Sequence, residues 1–181
     1  MASAFTHAFF AAAMGGAYAR ERMPARFWVL SAACAVLPDA DVLAFGFGVP
    51  YGSMFGHRGL THSLVFAALL GASVTAVFFR DSPRRGALAL FFALETASHG
   101  ALDALTDGGL GVAFFAPFSG RRYFFPFRPV EVSPIGVGAF FSEWGLAVIR
   151  SELLWVWLPT GLCLAAWLGL RRLTRPPRLR G

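Results

Sequence analysis

The residues that could do chemistry in this chain are few. His99 and Asp103, in SHGALD, lie four apart. On a helix that spacing puts both side chains on one face with Cβ atoms roughly 5–6 Å apart, close enough to ligate one metal ion. Glu95 and Asp107 extend the same face by a turn each way, where a carboxylate would orient a ligand histidine from behind. GHRGLTHS, residues 56–63, brings His57 and His62; FTHAF brings His7; LPDAD brings Asp39 and Asp41. Mixed imidazole and carboxylate donors suit zinc, with manganese or iron as further options, and carboxylates bridge ion pairs about 3.5–4 Å apart. One or two ions are expected, held by His7, Asp39, Asp41, His57, His62, His99 and Asp103. A proton relay is the competing reading, because a His-x-x-x-Asp pair also serves proton transfer.

The elements that must position these groups are apolar. Of 181 residues 56% are hydrophobic and 14% charged, with mean hydropathy +0.59. The apolar residues come in long runs, as in membrane proteins. The clearest runs are Leu60–Phe79, Gly86–Leu105 and Leu153–Leu170; Ala4–Ala19 and Phe27–Phe47 are shorter or interrupted. The expected fold is all-α: one polytopic helical bundle over residues 1–181 with about five membrane-embedded helices. Pro38, Asp39 and Asp41 break the second run, and irregular backbone at such depth survives only where it lines protein or water. Gly56 and Gly59 permit a tight entry to the third helix, with Thr61 or Ser63 available as its cap. Cys34 and Cys163 sit in apolar runs and read as packing residues. Ala17-Tyr18-Ala19 resembles a signal cleavage site, but its basic residues follow the apolar stretch, so a retained helix is expected.

The net charge of +6 and pI of about 10.6 come from arginines at helix ends, which argues against specific nucleic-acid binding. Arg20, Arg22 and Arg26 form one cluster; Arg80, Arg84 and Arg85 another; the basic tail 171–181 a third. The positive-inside rule sends all three to the cytoplasm. All four histidines and four of the five aspartates then fall at one level near the non-cytoplasmic face, and Asp81 stays in a cytoplasmic turn. An ion path would need polar groups spread across the membrane depth, whereas only Glu95 lies deeper.

Residues 117–135 carry Arg121, Arg122 and Arg128 among aromatics. With Arg58 these are candidate substrate contacts, since guanidinium suits phosphate. An interfacial belt anchoring the loop is the equal alternative. Glu131, Glu143 and Glu152 read as loop or helix-end residues.

The ordered set FTHAF, LPDAD, GHRGLTHS and SHGALD resembles the YdjM-like bacterial inner-membrane proteins, described as membrane-bound metal-dependent hydrolases. It resembles zinc-dependent phospholipase C more distantly. The resemblance implies Asp103 as a bridging carboxylate and His7 as a ligand of one ion. It implies His99, with His62 or His57 and Asp39 or Asp41, as ligands of the other. The aspartate of PDAD, Asp39 or Asp41, would be the base for the attacking water. No histidine follows His99, so the phospholipase's third zinc is not expected here. The implied activity is hydrolysis of a phosphoester in a lipid or lipid-linked substrate. The alternatives are a proton- or ion-coupled transporter and a structural metal that pins helices.

Overall fold

The computed structural model describes residues 1–19 and 21–174. Arg20 and most of the basic tail lie outside the described residues. The chain is all-helical, with only two isolated β-bridges among the described residues, Thr106 with Val130 and Val112 with Tyr123. Helix α1 runs over Ala4–Tyr18, α2 over Ala25–Val36, α3 over Leu64–Phe78 and α4 over Arg85–Ala104. A long helix, Glu143–Leu173, follows an irregular segment.

Local chemistry sets the boundaries. Ser3 caps α1 by accepting from Thr6 N at 3.3 Å, and Ser63 caps α3 by accepting from Phe66 N at 3.1 Å, each pairing an amide that helix geometry leaves free. Beyond Val36 the chain tightens into a 3₁₀ helix, Leu37–Phe47, with Pro38 in its first turn, and closes on Gly48 at φ +76°.

The helices alternate in direction, and close backbone approach holds them. A Cβ on Gly71 of α3 would stand 2.5 Å from Ala93 N and 2.6 Å from Ala89 O of α4. Phe27, Cys34, Val74, Phe79, Leu88, Phe91 and Phe92 form the main apolar core. Cys34 is buried and Cys163 exposed, and neither is in a disulfide. The long helix packs on α1, where Trp157 Nε1 donates to Thr6 Oγ1 at 2.7 Å and Phe9 stacks on Trp157 at 4.4 Å. It widens into a π turn at Leu153–Trp157.

Two helices, Ala25–Phe47 and Glu143–Leu173, are long and apolar enough to cross a membrane. Five were expected. The difference arises because α1 and α3 have 15 residues each, or about 22 Å at 1.5 Å per residue, short of a hydrocarbon layer of about 30 Å. The run from Leu60 yields its first residues to a 3₁₀ turn, Leu60–His62, and α4 spends its last turns on Glu95, His99 and Asp103. Leu158, Leu162, Trp167, Leu170 and Leu173 of the long helix are exposed, as a lipid-facing surface requires.

The arginine-bearing ends gather at one end of the bundle. Arg84 pairs with Glu21 at 2.9 Å, Arg26 lies over the Phe79 ring at 5.0 Å, and Arg171 donates to Ala19 O at 3.1 Å. The start of α1, the end of α2, the start of α3 and the end of α4 meet at the other. There the segment after α4 folds back: Phe125 N donates to Ala104 O, Ala113 N to Arg58 O and Leu64 N to Phe114 O, each at 3.0 Å. Gly111, at φ +78°, has Tyr123 O where a Cβ would meet it at 2.9 Å.

Candidate metal centre

His99 and His62 each arrive with one ring proton already committed. His99, buried on α4, has Nδ1 2.7 Å from Ala35 O. A carbonyl only accepts, so Nδ1 carries the proton and Nε2 presents a bare lone pair. His62 has Nδ1 3.2 Å from Asp41 Oδ2 and 3.0 Å from Thr61 Oγ1. The Thr61 hydroxyl itself donates to Asp41 at 2.7 Å, so His62 Nδ1 is also the donor and its Nε2 is bare too. These two nitrogens face each other at 3.0 Å. Asp39 Oδ1 stands 3.2 Å from His99 Nε2 and 3.7 Å from His62 Nε2. Asp103 Oδ2 stands 3.5 Å from His62 Nε2 and 3.9 Å from His99 Nε2.

In the neutral rings these are four lone-pair donors, which repel unless a cation lies among them, either a metal ion or a second proton on His62. Both oxygens of Asp39 are buried with no hydrogen-bond partner. A tetrahedral zinc with bonds of about 2.0–2.1 Å has ligand-to-ligand edges near 3.3 Å; the five distances above run from 3.0 to 3.9 Å. Charge agrees: the buried carboxylates of Asp39, Asp41 and Asp103 stand against the guanidinium of Arg58 and the ammonium of Met1 beside Asp103, and the buried negative charge left over is costly until neutralised. Asp39, His62, His99 and Asp103 therefore fit a first-row divalent ion.

His7 stacks on His99, ring centroids 3.7 Å apart, with Nε2 3.5 Å from Asp103 Oδ1. Neither His7 nitrogen has a partner. Asp103 thus lies between His7 and the His62–His99 pair while accepting from Ala2 N at 2.7 Å and Arg58 Nε at 3.0 Å.

The model of the YdjM inner membrane protein family matches residues 1–175. The chain belongs to that family. It is 41% identical over 175 residues to the inner membrane protein YbcI of Escherichia coli strain K12, covering 95% of this chain and 99% of that one. No solved structure matches it. Membership assigns this YdjM-family chain to the bacterial inner membrane; the names speak of no reaction.

Several residues of the YdjM-family chain sit differently from expectation. Asp41 faces away from the four-donor set. Its Oδ1 accepts from His57 Nδ1 at 2.7 Å, and its Oδ2 takes Arg58 N, Thr61 Oγ1 and His62 Nδ1. It orients His62, and with His57 and His62 it forms a second group whose candidate ligand atoms lie within 4.8 Å of one another. His57 lies beyond Asp41, its buried Nε2 unpartnered. Glu95 is not behind His99, whose proton goes to Ala35 O; it accepts from Ser31 Oγ at 3.1 Å. Asp107 is exposed past the end of α4 and accepts from Val132 N at 2.9 Å.

Two of the four candidate substrate arginines are structural. Arg58, at φ +61°, is wholly buried and donates to Asp103, to Gly108 O at 2.9 Å and to Thr106 Oγ1 at 2.9 Å. Arg122 clamps the motif loop through the carbonyls of His57, Gly111, Tyr51 and Ser53. Burial pushes its pKa down, and pushes the neighbouring Tyr51 phenol up. Arg121 and Arg128 remain exposed, over the rings of Tyr123 at 5.4 Å and Phe124 at 4.7 Å. Glu152, expected at a helix end, is fully buried mid-helix and accepts from Ser3 N at 2.5 Å and Ser3 Oγ at 2.6 Å. No motif announced it, since it directly precedes the apolar run from Leu153.

Proposed function

We propose that this protein is a metal-dependent hydrolase of the bacterial inner membrane, acting on a phosphoester of a lipid or lipid-linked substrate. The observation that carries the metal is the 3.0 Å approach of His62 Nε2 and His99 Nε2, each with its proton committed on the opposite nitrogen. Bound among these donors, a zinc ion supplies Lewis acidity and a water that ionises near neutral pH. Asp41 and Ala35 O hold the two imidazoles in the ligating tautomer, Arg58 fixes Asp103, and the walls keep bulk water out. Asp39 is the one member of the set whose side chain retains exposure, 8%. Substrate approach past the 3₁₀ segment requires that segment to shift and uncover the buried Asp39 oxygens, and Asp39 is the candidate base for the attacking water. Arg121 and Arg128 are the exposed cations free for a phosphate.

In this reading all five long helices are embedded, the arginine end faces the cytoplasm and the cluster lies near the other face. A second ion would use His7 and Asp103 Oδ1. One observation favours a rival reading: four protein donors suffice to close a tetrahedron, as in a structural zinc site.

Metal content by mass spectrometry on detergent-purified protein, followed by hydrolysis of bis(p-nitrophenyl) phosphate and of phospholipids, tests the proposal. Wild type carrying one or two ions and hydrolysing a phosphoester, with His99→Ala and Asp103→Ala folded but lacking both, supports it. Metal without hydrolysis favours the structural reading, and folded wild type that takes up no metal sinks both.

A further inference from the structure

At the arginine end of the bundle, far from the histidines, α3 and α4 leave a groove of about 340 Å³. Small residues, Ala72 and Ala76 on α3 with Gly86 and Ala89 on α4, form its floor, and Arg80 and Arg85 stand at its mouth. Arg80 also borders a neighbouring cavity of about 540 Å³ that Arg26 lines. Thr75 lines the groove as well, and it is 95% buried, with 5% relative exposure. Its hydroxyl has no hydrogen-bond partner, although a buried hydroxyl is normally paired.

We propose that this groove binds one anionic glycerophospholipid: its phosphate between Arg80 and Arg85, an ester carbonyl on the Thr75 hydroxyl, and an acyl chain along Ala72, Ala76 and Ala89. The pieces stand in the order in which the lipid presents them. Thr75 lies three residues before the end of α3 at Phe78, about 4.5 Å along the helix, and Arg80 stands in the turn beyond it, so the hydroxyl sits one step deeper than the arginines, as the ester group sits below the headgroup phosphate. The alanines lie beside and beyond it, where only hydrocarbon follows. The cations are available. Arg84 is taken by Glu21, Arg80 has only a 3.4 Å contact with exposed Asp81, and Arg85 has no carboxylate partner among the described residues. Basic pockets between membrane helices are known to select anionic headgroups.

Native mass spectrometry of the full chain released from mixed phosphatidylglycerol and phosphatidylcholine micelles tests this. Wild type is expected to retain one phosphatidylglycerol in preference to phosphatidylcholine. Arg80→Gln with Arg85→Gln is expected to weaken that retention about 30-fold, from about fivefold per arginine near a membrane surface. Ala76→Leu, at an exposed position, fills the groove with the charge unchanged and is expected to abolish retention; Thr75→Val weakens it without changing shape. The proposal is overturned if wild type shows no preference for phosphatidylglycerol, or if folded Ala76→Leu retains it as wild type does. A dimer that Ala76→Leu dissolves overturns it too, assigning the groove to a second copy of the chain.

Discussion

Asp41→Asn separates orientation from ligation. The carboxylate accepts four hydrogen bonds, from His57 Nδ1 on one oxygen and from Arg58 N, Thr61 Oγ1 and His62 Nδ1 on the other. Asparagine is nearly the same size but has one acceptor oxygen, so its amide must point hydrogens at one set of donors. If that set includes His62, the ring recovers a bond by moving its proton to Nε2, which removes the lone pair 3.0 Å from His99. If the amide faces His57, His62 still leans on a neutral oxygen in place of an anion. Loss of such a partner costs about 10–100-fold in metal affinity, or ~1.4–2.7 kcal/mol. His57→Ala removes an imidazole outside the four-donor set and leaves the Asp41–His62 contact, so its affinity stays within about threefold, below the roughly tenfold of a lost orienting group. Competition against a chromophoric zinc chelator in detergent measures all three proteins. Wild-type affinity in Asp41→Asn, or an equal loss in His57→Ala, would refute the division between Asp39 and Asp41.

Zinc should raise the melting temperature of metal-stripped wild type, by the equivalent of about 2.7 kcal/mol at a hundred times Kd, and leave His99→Ala unmoved; differential scanning fluorimetry reads both. Glu152→Leu removes the acceptor from Ser3 N and Ser3 Oγ, and each stranded buried donor should cost about 1–3 kcal/mol in thermal melts. Gly71→Ala puts a methyl 2.5 Å from Ala93 N, so α3 and α4 must part. About 1–3 kcal/mol of destabilisation is expected, against almost none for Gly86→Ala, where nothing lies within 4 Å.

What could be read in advance, and what could not, follows from the geometry of each element. The pairing of His99 with Asp103 was readable because both lie on one continuous α-helix, where a spacing of four has one meaning. Ser63 was readable as a cap because it precedes an apolar run. The choice between Asp39 and Asp41 was not, because they sit in a 3₁₀ helix. At three residues per turn, positions two apart point about 240° apart, so one faces the cluster and the other its rear. Arg58 read as a substrate contact because guanidinium suits phosphate. Only the positive φ and the returning segment 105–113 turn it inward onto Asp103. Glu152 looked terminal because the apolar stretch starts at Leu153, whereas the helix begins at Glu143 and carries the residue inside.

The knot of Asp39, Asp41, Arg58, His62, His99 and Asp103 draws three chain segments together at one end of the bundle. The opposite end is filled by the aromatic core around Phe27, Phe79 and Phe91, and only its rim, the turns around residues 21–24 and 80–84, is tied by an ion pair with both partners more than half exposed. Amide exchange in those turns is expected to run ahead of the global rate. The helix ends carrying the histidines part last, so slow fluctuation of the whole bundle leaves the distances within the cluster nearly unchanged.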